Sequence, residues 1–334
     1  MRALVTGGAG FIGSNLVHEL VAQEWEVDIV DDMSNGHLSL LDQLAFRVVL
    51  PEFIELFEAQ HTRKKKDVYI FECDFAHKVI LDRIKSKKYD VVFHQAAIPR
   101  VSYSVEHPVE TTETNILKSV ALLHACVDSV KRVVIASSSS VYGGSVIMPT
   151  SEDDLKNPKS PYALQKSVVE EFSKLFGSLY GLDTVNLRYF NVFGPGQNGD
   201  SPYSTAVSAW CDAISNGKVL RSDGDGSQSR DLCYVDNVVS ANILAANSDR
   251  KFLGNCYNIC CGDRTTNREI LEYLISNFDN VKVNEVAWRA GDVMHTQGDW
   301  LAAFNDFGYV PLVKFWDGLQ KTLSWWNLTP GRNK

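Results

Sequence analysis

Through the first half of the chain, short apolar runs alternate with stretches whose apolar positions recur every three to four residues. The runs 3–6, 26–31, 68–72, 91–94, 132–137 and 184–188 read as strands, because each is brief and rich in β-branched or aromatic residues. Between them, 10–22, 78–86, 108–130 and 161–180 carry apolar residues at helical spacing. This alternation predicts a parallel sheet, since a parallel neighbour needs a crossover connection. Positions 35–62, interrupted by Pro51, hold two apolar patches and are expected to contain one or two helices. After Asn191, turns such as Gly194-Pro195-Gly196 and Gly224-Asp225-Gly226 cut the chain into short segments around a helix at 204–216. Further helices are expected at 236–247 and at 266–278, the latter capped by Thr265 or Thr266. The expected fold class is α/β, a doubly wound parallel sheet followed by a smaller α/β C-terminal lobe.

Composition narrows the function classes. With 334 residues, 45% of them apolar and 22% charged, the chain can bury a sizeable core in about two domains. Net charge is −8, and the one dense basic cluster, Arg63-Lys64-Lys65-Lys66, reads as a solvated loop, so no nucleic-acid partner is expected. The longest uncharged stretch, 133–151, is broken by serines, two glycines and a proline, so no membrane span is expected. Met1 leads straight into a strand-like run without a signal-like apolar region, and a cytoplasmic protein is expected. Seven cysteines, odd in number and without a CxxC pair, read as reduced thiols in or near the core, and no metal site is expected.

Candidate chemistry begins where the first strand ends. Gly7, Gly10 and Gly13, with Phe11 and Ile12 between the last two, are spaced to make a tight turn that delivers a helix N-terminus to a pyrophosphate. Asp31 follows 18 residues after Gly13 at the end of the next strand, the context that turns a common glycine pattern into a dinucleotide-binding signature. A carboxylate there accepts hydrogen bonds from a ribose and repels a 2′-phosphate, which predicts NAD rather than NADP. Asp74, just past the third strand, is placed to meet the adenine amino group, although a surface-turn aspartate gives the same pattern. Tyr162 and Lys166 stand one helical turn apart after a start marked by Ser160 and Pro161. A nearby ammonium and a cationic nicotinamide both favour phenolate, predicting a Tyr162 pKa drawn down toward physiological pH for proton abstraction from an alcohol. Tyr-x-x-x-Lys pairs also arise by chance, and a serine-rich turn such as 137–140 also arises without chemistry, so the combination carries the reading.

These residues together resemble the extended short-chain dehydrogenase/reductase family: the glycine turn, Asp31, His94-Gln95-Ala96-Ala97, the serine run, the Tyr/Lys pair, and Arg188-Tyr189-Phe190-Asn191-Val192-Phe193-Gly194-Pro195. The resemblance runs from Arg2 to about Trp326. It implies a Rossmann-type NAD-binding domain at 1–187 plus about 232–258, and a nucleotide-sugar-binding domain at 188–231 plus 259–334. It implies NAD contacts from Gln95, Ala96 and Ala97, and catalysis by Ser138, Tyr162 and Lys166. It also implies a homodimer through a four-helix bundle formed by 108–130 and 161–180. Where sugar 4,6-dehydratases of the family carry Thr-Asp-Glu, this chain has Ser138, Ser139 and Ser140, so the acid and base for water elimination are missing. The glutamate used by UDP-glucuronate decarboxylases is also missing. Redox at a single carbon remains, and the family's main use of it is 4-epimerisation.

Within the family the segments Ser229-Arg230-Asp231-Leu232-Cys233-Tyr234, Gly262-Asp263-Arg264-Thr265-Thr266 and Arg289-Ala290-Gly291-Asp292-Val293-Met294-His295-Thr296 are similar to UDP-N-acetylglucosamine 4-epimerases. The resemblance places Arg230 and Arg289 on the diphosphate, where guanidinium forks suit phosphate oxygens. It places Asn191 on the diphosphate or sugar, Gln197 on the sugar, and Arg100, Ser138, Ser139 and Asp292 in substrate binding. Thr296 takes the position of a size gate, small enough to admit an N-acetyl group and equally permissive of plain hexoses. UDP-glucose or UDP-glucuronate 4-epimerisation uses the same residues, and a non-catalytic NAD-binding regulator is the alternative from a different class.

Overall fold

The structure, a computed structural model, describes residues 1–60, 66–99, 101–199, 205–287 and 293–331. Among these, β1 (Arg2–Thr6), β2 (Glu26–Asp31), β3 (Phe46–Val49), β4 (Val68–Glu72), β5 (Val91–His94), β6 (Arg132–Ser138) and β7 (Thr184–Tyr189) follow one another. β8 (Leu220–Asp223) and β9 (Ser229–Arg230) come next, and β10 (Asn255–Ile259) returns to the large sheet. That sheet has eight strands in the order β10-β7-β6-β5-β1-β2-β4-β3. The ladders β3–β4, β4–β2, β2–β1, β1–β5 and β5–β6 are all parallel. Central strands such as β1 and β5 are buried almost throughout, as expected of a sheet covered on both faces. Leu4, Phe71, Val92, Val133 and Ile135 from the strands pack with Leu122, Leu123, Val169 and Phe176 from the helices. Strand order reverses on passing from β4 to β5 across β1, so the carboxyl ends of β1 and β5 form the switch point where such sheets bind ligands.

Two expectations change on this frame. Positions 35–62 hold the short edge strand β3 as well as a helix at Ile54–Gln60. Arg47 and Val48 of that strand face solvent, and a four-residue edge strand leaves little alternation in the sequence. The single helix expected over 108–130 is a helix at Pro108–Thr112, a π-helical turn at Glu113–Lys118 and a helix ending at Cys126. The Ser119 hydroxyl donates to the Asn115 carbonyl at 2.9 Å, and Asn115 turns its side chain to the backbone of Ile98. Side-chain capture of this kind accompanies departures from the α ladder.

The chain divides into two compact units, Met1–Ser138 with Ser160–Arg188 and Val239–Tyr257, and Ser139–Lys159 with Tyr189–Val238 and Asn258–Lys334. The expected boundaries put 139–159 and 232–238 with the sheet. Instead, Tyr142 Oη donates to Asn258 Oδ1 at 2.7 Å, Thr150 N to Gln297 O at 2.8 Å, and Asn258 N to Glu152 Oε1 at 2.7 Å, tying 139–159 into the second unit. Asn237 and Val313 exchange hydrogen bonds of 2.8 and 3.0 Å and hold 232–238 there as well. In the second unit β8 pairs in parallel with β12 (Val283–Val286), and β9 pairs antiparallel with β11 (Thr265–Thr266). Thr266 and Glu269 form a reciprocal capping box on the helix Asn267–Asn277. All seven cysteines are free thiols. No helix among the described residues is long and apolar enough to cross a membrane.

Candidate active site

Backbone sterics shape the glycine turn after β1. Gly7 adopts φ +67°, and a Cβ there would stand 2.9 Å from both Cα and N of Ala96. A Cβ on Gly13 would collide with the Gly7 carbonyl oxygen, so the helix Phe11–Ala22 can approach the strand only as glycine. That helix begins at Gly10 with no side-chain cap and no acidic residue in its first turn, leaving the N–H groups around Phe11, Ile12 and Gly13 for an anion. Asp31 ends β2 and is 8% exposed; its oxygens accept from Ala9 N at 2.9 Å and from Met33 N at 3.0 Å. Burial raises its pKa against those two hydrogen bonds. Each carboxylate oxygen still has a lone pair for a ribose hydroxyl. Gln95 donates from Nε2 to Asn242 Oδ1 at 3.0 Å, and Ala96 N donates to Thr6 Oγ1 at 3.1 Å, with Ala97 next in the chain. Asp74 is held by Lys118 Nζ at 2.7 Å and by Ala76 N at 2.7 Å, an engagement its sequence context did not suggest.

Tyr162 and Lys166 occupy the first turns of the helix Pro161–Tyr180, with Ser160 as N-cap and Pro161 opening it. Lys166 Nζ lies 5.9 Å from the Tyr162 ring centroid and donates to Ala136 O at 2.7 Å. Ser138, the last residue of β6, hydrogen-bonds the Tyr162 phenol. Burial nevertheless pushes Tyr162 up to about 12, outweighing the Ser138 hydrogen bond. Burial also lowers Lys166 to about 8, with Glu170 opposing it. The expected depression of the tyrosine pKa is therefore absent from the protein alone. Desolvation outweighs the Ser138 hydrogen bond at this buried phenol.

The second unit gathers another set. Asn191, at φ +32°, donates from Nδ2 to Asp231 O and to Thr296 Oγ1, each at 3.1 Å. Asp231 is fully buried and accepts from the backbone N–H groups of Cys261, Gly262 and Gly298 at 2.8, 3.0 and 3.1 Å. Arg230 in β9 donates from Nη1 to Ser229 O at 3.1 Å and to Met294 O at 3.0 Å. Gln197 accepts from Thr205 Oγ1 at 2.8 Å and from the Ser208 hydroxyl, and donates to Val192 O at 3.2 Å. Its amide thus braces the loop after Asn191 against the start of the helix Ala206–Ser215. Ser139 begins the short 3-10 helix Ser139–Tyr142 and falls in this unit, one residue past Ser138 of the first. Arg100, Arg289 and Asp292 lie outside the described residues.

A family model for the NAD dependent epimerase/dehydratase family matches residues 3–260. The chain belongs to the NAD-dependent epimerase/dehydratase family. Among curated relatives of this epimerase/dehydratase is the UDP-glucose 4-epimerase of Mycolicibacterium smegmatis, 32% identical over 97% of each chain. Among solved structures is the UDP-N-acetylglucosamine 4-epimerase from Methanobrevibacter ruminantium M1 in complex with UDP-N-acetylmuramic acid, 33% identical over 98% of each chain with a TM-score of 0.85. Another is the UDP-glucuronic acid 4-epimerase from Bacillus cereus in complex with UDP-glucuronic acid and NAD, 27% identical over 98% of this chain and 99% of that one, TM-score 0.83.

NAD is the cofactor of this epimerase/dehydratase, and the residues present fit it: neither Gly7 nor Gly13 has room for a Cβ, and Asp31 ends the next strand. The sequence pattern did not single out Thr6, Asn115, Ser119 and Gln165, polar residues that engage His94 and the helix of Tyr162. His94 Nδ1 meets Thr6 Oγ1 at 2.8 Å and Nε2 meets Ser119 Oγ at 2.9 Å. Asn115 donates to Gln165 Oε1 at 2.8 Å and exchanges hydrogen bonds with Ile98, linking the π-helical turn to the helix of Tyr162. An asparagine inside a mostly apolar helical run was the available signal.

Proposed function

We propose that this protein is a UDP-sugar 4-epimerase that interconverts UDP-N-acetylglucosamine and UDP-N-acetylgalactosamine through a transient 4-keto sugar. The observation that carries the reaction type is the Ser138–Tyr162 hydrogen bond beside Lys166, in a turn without the carboxylic acids that dehydration needs. NAD, when bound, supplies the site that takes up and returns the C4 hydride. Tyr162 takes the O4 proton and later returns it, and Ser138 holds the phenol toward that oxygen. Lys166, through its ammonium and the positive charge brought by the cofactor, offsets the desolvation that otherwise keeps Tyr162 protonated. Arg230 grips the diphosphate side of the substrate and leaves the sugar free to present either face. Weak sugar contacts suit a pocket that must accept both epimers.

Thr296, a small residue, and the likeness to an enzyme solved with UDP-N-acetylmuramic acid support the N-acetyl reading. With both ends of its amide engaged within the protein, Gln197 acts in this reading as a brace of the loop after Asn191. The relatives named for UDP-glucose and UDP-glucuronate favour a second reading in which the same residues act on those sugars. A panel of UDP-N-acetylglucosamine, UDP-N-acetylgalactosamine, UDP-glucose and UDP-glucuronate, with chromatographic separation of epimers, distinguishes them. Tyr162→Phe is expected to lower turnover by roughly 10²–10⁴-fold, and near wild-type turnover in that variant would remove the mechanism. The reading includes a homodimer through the helices of 108–126 and Pro161–Tyr180, whose exposed apolar residues include Val109, Leu117, Leu164, Leu175 and Leu179. A cytoplasmic location is part of the same reading.

A further inference from the structure

Tyr162, Lys166 and Glu170 recur at every fourth position on one face of the helix Pro161–Tyr180, so the Tyr162–Lys166 pair has a third member one turn further along. Glu170 is 2% exposed, a depth at which a carboxylate is rarely found without partners. Arg188 of β7, itself 3% exposed, forks onto it, Nε to Oε1 at 2.8 Å and Nη2 to Oε2 at 2.9 Å. Ser137 Oγ donates to the same Oε1 at 2.6 Å. That serine also relates the carboxylate to Lys166, whose Nζ donates at 2.7 Å to the carbonyl of Ala136, the preceding residue of β6. Ammonium and carboxylate therefore grasp consecutive residues of a single strand. A planar guanidinium fork together with a buried hydroxyl fixes where the carboxylate stands.

Resting on the epimerase reading above, we infer that Glu170, clamped by Arg188 and Ser137, is a positioning residue, a fixed negative charge that keeps the Lys166 ammonium in place beside Tyr162. Burial works against that ammonium, and Glu170 opposes the effect of burial. Tyr162, pushed up by its own burial, needs a neighbouring positive charge to release its proton. Spacing along the helix separates the two influences: Glu170 is one turn, about 6 Å of axial rise, from Lys166 and about 12 Å from Tyr162. The carboxylate thus supports the ammonium without setting a second negative charge against a phenolate. The charged and titratable groups facing Lys166 are Tyr162 and Glu170 on its own helix, His94 of β5, which burial keeps neutral, and Arg188 of β7 behind Glu170. β6 presents Ala136, Ser137 and Ser138.

An NMR titration of isotope-labelled lysine Cε on the NAD-loaded protein tests this in wild type, Glu170→Gln and Glu170→Asp, with the Lys166 resonance assigned by its loss in Lys166→Met. Glu170→Gln keeps the shape and removes the charge. The Lys166 midpoint is expected to fall by about one pH unit or more, and the alkaline limb of kcat for UDP-sugar epimerisation to move down with it. KM is expected to stay within about twofold, since Glu170 acts through Lys166 rather than on the substrate. Glu170→Asp restores the charge and is expected to keep the midpoint and the limb near their wild-type positions. Should Glu170→Gln fail to fold with Arg188 unpaired, Glu170→Gln combined with Arg188→Met removes both members and is expected to move the midpoint in the same direction. A midpoint that loss of the carboxylate leaves unmoved, or one that aspartate lowers as far as glutamine does, would make the pair purely structural and overturn the inference. Epimer interconversion on the same preparations judges the reaction separately. A Glu170-dependent Lys166 titration without interconversion of any UDP-sugar removes the 4-epimerase reading and keeps the coupling, whereas interconversion with a Lys166 titration indifferent to Glu170 does the reverse.

Discussion

His94 is held neutral by its surroundings. Burial, and secondarily the charge of Lys166, lower its pKa to about 3. Its tautomer follows from its neighbours: Ala96 N donates to Thr6 Oγ1, Ser119 Oγ donates to Asn115 O, and the imidazole between them accepts at Nδ1 and donates at Nε2. Because the folded pKa lies below the unfolded value of about 6.5, the unfolded state binds more protons between the two, and stability falls as pH drops through that window. The slope is up to about 1.4 kcal/mol per pH unit. Asp231, raised by burial to about 7, acts with the opposite sign over part of the same range. Comparing urea midpoints of wild type and His94→Gln at pH 7, 6 and 5 isolates the histidine, since Asp231 is common to both. Wild type should lose stability relative to the variant as pH falls, and a difference that does not change with pH would mean His94 is not held neutral.

Among the elements, the first turn and helix tolerate least change. Gly13→Ala places a methyl group against the Gly7 carbonyl oxygen, with Gly7 C and Gly8 Cα each 2.8 Å away, and all three are backbone atoms that cannot swing aside. Overpacking of this kind costs about 1–3 kcal/mol. The variant should unfold at lower urea and be purified with little NAD, which absorbance of the acid-released nucleotide would measure; full NAD content would show that the turn does not form the cradle. The element boundaries themselves were largely legible. β2 and the helix Pro161–Tyr180 fall at their expected limits, because a buried run in one case and a Ser-Pro start with Gly181 in a left-handed conformation at the end in the other are local signals. β3 and the π-helical turn were not, since one is a short half-exposed edge and the other follows from Asn115 bonding to Ile98, 17 positions away.

For the whole molecule, the proposed homodimer places a demand on helix surfaces. Leu164, Leu175 and Leu179 are spaced about three turns and then one turn apart along the helix Pro161–Tyr180, a stripe at helical spacing that stays exposed in the single chain. Sedimentation at micromolar concentration should show a dimer, and Leu175→Glu should shift it toward monomer, because burying an unpaired carboxylate in such a face is costly. A wild-type monomer would count against the arrangement. Net charge of −8 is compatible with the proposed binding of an anionic sugar nucleotide when Arg230 supplies positive charge locally.

The amino-acid sequence by itself determined the α/β class, the glycine turn, Asp31 at the end of β2, and the one-turn spacing of Tyr162 and Lys166. Each of these depends on residue types at short, regular spacing, where backbone geometry alone brings the groups together. Tertiary structure decided that 139–159 belongs with the second unit, that Tyr162 is pushed up rather than down, that Gln197 braces a loop, and that Ser138 meets Tyr162 and Asn191 meets Thr296. Those outcomes depend on burial and on partners such as His94 with Thr6, 88 positions apart, or Asn191 with Thr296. Desolvation and long-range hydrogen bonds arise only once the chain is packed, so no local pattern encodes them.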